Sequence, residues 1–326
     1  MPSCDVPGPD RVISILPYSR ERKSEWDEFV STAKNGLFQF YRDYMDYHAE
    51  RFSDASLMLY DEGRLCALFP ASVSGNVLSS HGGLTFGGVI SSSRMTASGM
   101  LSSIGKIIEH ARALQISSIH YKAIPFPFCR LPAQEDLYAL FVVRARLVRR
   151  DLSSVIRLDG RLGFAKGKKL GIGKARKAGV IVSEAGDLGS FMPILADALT
   201  RHGVRPTHTL EEIALLQSRF PGNIRCLEAR NGDGTALAGV VMYEYGRAAH
   251  VQYMANSEEG REAGALDRLV DYLVNEFYPS RAEYFSFGIS TEQDGRYLNT
   301  GLCAQKEMFG ARSVVHDHYE LDVSPS

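Results

Sequence analysis

"IRCLEARNGDGTALAGVVMYEYG", Ile224–Gly246, decides the fold class. Two aliphatic, β-favouring runs flank Asn-Gly-Asp-Gly, where glycine supplies the positive φ of a tight hairpin turn. The pattern predicts a strand, a turn and a returning strand. "AAHVQYMAN" (248–256) follows as a third strand. A helix is predicted over about Glu262–Phe277, because Leu266, Leu269, Val270, Leu273, Val274 and Phe277 recur on one face. "AEYFSFGI" (282–289) is again a strand.

The first half repeats this order. "LMLYDEGRLCALFPASV" (57–73) reads as two strands joined at Asp61–Gly63. A helix is predicted over about Thr96–Leu114, with Met100, Leu101, Ile104, Ile107, Ile108, Ala111 and Leu114 at helical spacing, and "SSIHYKAI" (117–124) closes the set as a strand. Helix maps to helix and strand to strand at an offset of about 165 residues. The repeat lies in the order of elements, since identity between the halves is low. The expected fold class is mixed α/β, in two tandem domains at 1–150 and 151–326, each a twisted mixed sheet flanked by helices.

The totals suit that division. A length of 326 residues, 44% hydrophobic and 23% charged, is a globular composition with material for two cores. A net charge of −1 gives no bulk attraction to nucleic acid, so any such attraction needs a local patch. Five scattered cysteines without CxxC speak against a zinc site or a disulfide framework and fit a reducing, cytoplasmic setting. "MPSCDVPGPDR" lacks the basic and apolar regions of a signal peptide, and no apolar run approaches a membrane span.

Three stretches concentrate polar chemistry. In "FSFGISTEQDGRYLNTGLCAQKEMFG" (285–310) an apolar strand gives way to Ser290, Thr291, Glu292, Gln293, Asp294, Arg296 and Asn299, followed by Lys306. Between the halves, residues 144–177 carry twelve Lys and Arg against Asp151 and Asp159, including Lys168, Lys169, Lys174 and Arg176. Such a run suits either a solvated helix face or a phosphate-binding patch. It is no P-loop, because the Gly167–Gly173 spacing is one residue too long and Ala175 stands where Ser or Thr would hold magnesium. In "RHGVRPTHTLEEI" (201–213), Thr209 and Glu212 form a predicted capping box, which leaves Arg201, His202, Thr207 and His208 in a loop between helices.

These segments, together with "YRDYMDYHAERFSD" (41–54), "SSHGGLTFGGVI" (79–90) and "YMANSEEGREAGALDRLVDYLV" (253–274), resemble the tandem Gcn5-related N-acetyltransferase (GNAT) fold of the FemAB-like branch, the peptidoglycan aminoacyltransferases and their relatives. The resemblance spans about Phe38 to Tyr319, and the 284–312 segment is its most specific part. It implies transfer of an acyl or aminoacyl group to the amine of a small molecule, amino sugar or peptide. The donor would be aminoacyl-tRNA, making tRNA a partner, or acyl-CoA, with no covalently held cofactor. The acyl-CoA pattern is altered here: Arg261 and Gly264 supply its first positions but Leu266 stands at the last, and Glu259 and Glu262 flank it. That favours the tRNA donor, with Lys168, Lys169, Lys174 and Arg176 on its phosphates.

Acyl transfer to an amine needs a proton acceptor, a held donor carbonyl and donors for the oxyanion. No GxSxG elbow is present, and Cys303 has no histidine nearby in sequence. The candidate catalytic residues are His81, His208, Glu292 and Lys306; those for the acceptor are Arg201, His202, Thr207, Tyr253, Ser290 and Asn299. Each has a plainer reading. Asp294–Gly295 and Asn299 suit a self-capping loop, His81 a buried histidine among glycine bulges, and Tyr253 strand packing. His202 and His208 are six apart, which is not a helical metal pair, and no metal is expected. A non-catalytic binding protein for a cell-wall or polysaccharide precursor is the reading from another class.

Overall fold

The computed structural model describes residues 13–201, 203 and 207–324. The chain divides into two compact units. The first runs up to Asp151 and also takes Asp294–Arg296 and the stretch from Val315; the second holds Leu152–Gln293 and Tyr297–Val314.

The first unit contains β1 (Ile13–Pro17), α1 (Lys23–Thr32), α2 (Arg42–Met45), β2 (Ser53–Asp54), β3 (Leu57–Asp61), β4 (Arg64–Phe69), β5 (Ser72–Ser74), β6 (Val77–Ser79), β7 (Ile90–Ser91), α3 (Ala97–Ala113), β8 (Ser118–Lys122) and α4 (Glu135–Val142). One sheet runs β1-β3-β4-β7, antiparallel throughout. In the other, β2, β5 and β6 are antiparallel and β6 lies parallel to β8, pairing Val77 with Ser118 and Ser79 with His120. The predicted helix at Thr96 is α3. The Thr96 hydroxyl caps it by accepting from the Gly99 N–H at 3.1 Å. Met100, Ile104, Ile107, Ile108 and Ala111 are buried on its core face, each large side chain worth roughly 1.5–3 kcal/mol of burial. The outer edge of β8 is covered by the last strand among the described residues, Arg312–Asp322, whose His318–Asp322 run antiparallel to Ser118–Lys122.

The second unit begins within β9 (Arg146–Arg157), continues through α5 (Lys166–Lys177), β10 (Ile181–Glu184), α6 (Phe191–Thr200), α7 (Leu210–Arg219), β11 (Ile224–Arg230), β12 (Ala236–Glu244), β13 (Ala248–Asn256), α8 (Glu258–Ala263), α9 (Ala265–Tyr272), β14 (Tyr284–Ile289), β15 (Thr291–Glu292), β16 (Tyr297–Leu298) and α10 (Thr300–Glu307), and ends within β17 (Arg312–Asp322), whose residues from Val315 belong to the first unit. Strands β10, β11, β12 and β13 form an antiparallel meander. Strand β13 is parallel to β14, and β14 is antiparallel to β9. The two units thus share a plan: an antiparallel set, a parallel pair joined through a helix, and a flanking antiparallel strand. Among the described residues, no helix is long and apolar enough to cross a membrane.

The expected helix over 262–277 is broken at its start. Gly264 adopts φ +76°, ends α8 and begins α9, and a π-helical turn, Leu273–Phe277, follows. Leu269, Val270, Leu273 and Val274 are fully buried, while Leu266 and Phe277 are partly buried against the same core. The break lets α5 approach closely. A Cβ on Gly264 would sit 2.5 Å from the Gly171 carbonyl oxygen, and one on Gly171 would sit 2.1 Å from Asp267 Oδ2. Gly264→Ala therefore combines a left-handed backbone with a clash against backbone. It is expected to lower stability by about 2–4 kcal/mol, read as a lower urea midpoint with unchanged slope.

Candidate active site

The parallel pair β13–β14 is joined over only three positions, from Ala248–Tyr284 to His250–Ser286. Two irregularities fall where the pairing stops. On β13, Val241 pairs with Tyr253 and Met242 with Val251, leaving Gln252 as an extra residue. On β14 the register to β9 shifts between Ser286 and Gly288. A bulge bends its strand, so both strands carry a local bend where they part. The carboxyl ends of parallel strands are where α/β sheets collect ligands. His250 and Ser286 mark the fork: Nδ1 lies 3.0 Å from the hydroxyl, which also accepts from the Gly288 N–H at 3.3 Å. Gly288 has φ +75°, and a Cβ there would lie 3.4 Å from His250 Cε1.

Beyond Gly288 the polar stretch has a clear division of labour. Asn299 is structural: its Oδ1 accepts from the Leu302 N–H at 3.0 Å to cap α10, and its amide donates to Glu292 at 2.8 Å. Glu292 itself is exposed. Lys306 is buried, and its ammonium donates to the carbonyls of Gly288 (2.9 Å) and Ile289 (2.6 Å). Burial pulls its pKa down to about 8, so a substantial fraction is neutral in mildly alkaline solution. Ser290 is also buried, and both its backbone groups are used, by Leu152 and Asn299. Among the described residues its hydroxyl has no partner, nor has that of Ser153, the β9 residue paired with Ile289. Two buried, unpaired hydroxyls at one strand end are groups for which a ligand atom would complete the hydrogen bonding.

The loop before α7 brings Thr207, His208 and Tyr253 together. The predicted capping box forms at Thr209 and Glu212 and fixes the chain's entry into α7. The Tyr253 hydroxyl lies 2.6 Å from His208 Nδ1 and accepts from the His208 N–H at 3.2 Å. Thr207 and Gln252 also bond to it, and burial raises its pKa. A phenol held against an imidazole is a proton-transfer pair. Arg201 lies apart, half-exposed and paired with Asp197 at 3.4 Å. His202 falls outside the described residues.

The phosphate candidates separate into two groups. Lys168 is paired with Asp267 at 2.8 Å and sits over the Phe309 ring, and Arg176 is paired with Asp271 at 2.8 Å. Both tie α5 to α9. Among the described residues, Lys169 and Lys174 meet no carboxylate. Arg261 lies in the last turn of α8, and Gly264 is both the C-cap of α8 and the N-cap of α9. The strand-to-helix turn is four residues before Arg261 in sequence, at Ser257. There the serine side chain caps the helix, and Glu258 and Glu259 fill its first turn.

In the first unit, His81 is buried with φ +25° beside His48 and Phe52, their ring centroids 5.6 and 5.4 Å away. Among the described residues its Nδ1 has no hydrogen-bond partner. Burial, with the neighbouring His48, pushes its pKa to about 3, so the imidazole is neutral and only weakly basic near neutrality. Its carbonyl and that of Leu84 accept from Lys122, at 3.0 and 2.7 Å. Lys122 anchors a charged cluster that sequence reading did not single out. Arg149 bonds Asp151 at 2.7 Å and Asp294 at 2.9 Å. His318, 3.9 Å from Asp151, is lowered to about 4 by burial, Arg149 and Lys122. The offset maps Lys122 onto Phe287, so the repeat carried no chemical hint of it. Among the described residues, no group of three His, Cys, Asp or Glu could hold a metal ion.

No protein-family profile matches the chain, and no curated protein sequence matches it. Solved structures do match in shape. FemX is similar over 95% of this chain and 97% of its own, at 11% identity and a TM-score of 0.68. L-PGS from Bacillus licheniformis matches over 93% and 90%, at 13% identity and a TM-score of 0.61. A tandem GNAT protein from the clavulanic acid biosynthesis pathway matches over 97% and 100%, at 11% identity and a TM-score of 0.52. Two β-β-β-α-β units, a forked parallel pair and these full-length likenesses together give the chain a tandem GNAT fold similar to that of FemX.

Proposed function

We propose that this chain is an acyltransferase that moves an aminoacyl group from tRNA to an amine acceptor. In this reading the fork between β13 and β14 holds the reacting groups. The Tyr253–His208 pair handles the proton released as the acceptor amine attacks, and the buried hydroxyl of Ser290 meets the donor ester or its oxyanion. Lys306 holds the strand end that carries Ser290, so it is a positioning residue. No covalent nucleophile is needed, because an amine attacks an activated ester directly once positioned and deprotonated. Glu292 and Asn299 serve loop geometry rather than chemistry.

The donor assignment rests on the turn after β13. A pyrophosphate is held by free amides and the positive end of a helix dipole. Here Ser257 occupies the cap and Glu258 and Glu259 place two carboxylates in the first turn, which repels a coenzyme A pyrophosphate. The acyl-CoA alternative has its own support in the preserved turn, a bulged strand leading straight into a helix N-terminus. Titrating acetyl-CoA and a pool of charged tRNA separately at fixed salt tests the choice. Saturable binding of charged tRNA, followed by release of deacylated tRNA with an amine acceptor, is expected. Saturable acetyl-CoA binding without tRNA binding would replace the donor.

A further inference from the structure

The second unit carries a groove of about 210 Å³ away from the fork, at the amino end of β14. Arg157, Arg161 and Arg312 line it, with Tyr284, Leu162 and Val314 as apolar wall. Its shape is fixed by two turns packed backbone to backbone. Gly310 has φ +84°, and a Cβ on it would lie 2.6 Å from the Leu162 carbonyl oxygen. Arg157 is neutralised by Asp159 in an exposed bidentate pair at 2.6 and 2.8 Å, so the groove's uncompensated charge comes from the other two arginines. Among the described residues, Arg161 and Arg312 meet no carboxylate. Each donates only to a carbonyl of its own turn, and Arg161 also stacks on Phe164.

A second observation points the same way. Helix α5 starts at Lys166, and no side chain caps its N-terminus. Its first turn holds Lys166, Lys168 and Lys169 and no acidic residue. Asp267 already meets Lys168 at 2.8 Å, but among the described residues Lys166 and Lys169 meet no carboxylate, so two cations stand uncompensated at the positive end of the helix. It adjoins the groove: the Ala165 N–H donates to Met308 at 2.8 Å, in the same turn that Gly310 closes, and Phe164 stacks under Arg161. The cationic surface therefore continues from the groove onto the start of α5.

We infer that the groove and the start of α5 bind successive phosphates of a single RNA strand. An isolated phosphate would need no apolar wall. A mixed wall with guanidinium groups suits a nucleotide, and continuation onto a second cationic site requires a chain of phosphates. The inference rests on the tRNA-donor reading and assigns that partner a surface.

The test is fluorescence anisotropy with labelled deacylated tRNA and with a labelled 16-nucleotide RNA. Three double variants carry the same charge change: R161E/R312E, K166E/K169E and R20E/R64E, the last a pair of exposed residues in the first unit. Thermal unfolding of each confirms the fold. The first two pairs are expected to weaken binding at least tenfold, and the third less than threefold. R161A/R312A should lower the slope of log affinity against log salt by about 1.5, as expected for two phosphate contacts. Equal losses in all three pairs, or none, would overturn the groove while leaving the donor reading intact. Wild-type protein that binds acetyl-CoA but neither RNA would overturn the donor reading itself.

Discussion

Replacing Tyr253 with phenylalanine is expected to lower kcat by about 100-fold or more, with little change in KM for the donor. The substitution removes one oxygen and leaves the ring in place, so strand packing survives. The oxygen is the meeting point of His208 Nδ1, the His208 N–H, Thr207 and Gln252. Positioned proton transfer contributes typically 10²–10⁴-fold, and the pair is the one proposed to carry that step. A purely structural hydroxyl would instead cost about 1 kcal/mol of stability and leave turnover unchanged. His208→Gln should reproduce the kcat loss, whereas Arg201→Ala, outside the cluster, should not. A kcat within threefold of wild type for both Tyr253→Phe and His208→Gln would remove the pair from the mechanism.

The second large effect is on stability in acid. His81 has a folded pKa of about 3 against 6.5 when free. Below pH 6.5 the unfolded chain binds a proton that the folded chain refuses. The stability associated with neutral His81 is thus fully present above 6.5 and is lost as pH falls toward 3. At about 1.36 kcal/mol per pH unit, wild type should lose about 2–3 kcal/mol between pH 6.5 and 4.5 relative to His81→Asn. Asparagine tolerates the positive φ at this position, so the variant keeps the backbone and removes the titration. Lys122, Arg42 and His48 disfavour the charged imidazole and Asp54 favours it. Urea titrations of both proteins at several pH values measure the difference. Parallel curves would show that His81 is not held neutral by burial.

Local rules carried much of the fold. The 61–63 and 231–234 turns, the Thr96 cap and the Thr209–Glu212 capping box all appear where glycine, threonine and glutamate place them, because each depends on a few adjacent residues. Longer-range features were not legible. Nothing in "RSVVHDHYELD" says that its later half pairs with β8, nearly 200 positions earlier in sequence. The lysine-rich stretch of α5 was open to either a solvated face or a phosphate-binding patch, and nothing local in it says that Gly171 serves close packing against Gly264 and Asp267. Within the site, Thr207, His208 and Tyr253 met as loop and strand residues should. The orphan hydroxyl of Ser153 and the His250–Ser286 contact depended on a pairing between β9, β13 and β14 that no local pattern encodes.

The strand that covers β8 leaves the ribosome only after the second unit's stretch up to Val314 has been made. During synthesis the first unit can assemble β1 through β8 and bury α3, but the outer edge of β8 stays unpaired until His318–Asp322 emerge. An open edge of that kind is a template for foreign strands. A nascent chain stalled after Gly310 would hold a largely built first unit with one sticky margin, so its exposure to chaperones and aggregation is set by the translation time of the second unit. A fragment ending near Asp151 should inherit the same margin permanently, and its solubility should improve when a peptide spanning Val315–Ser324 is supplied in trans.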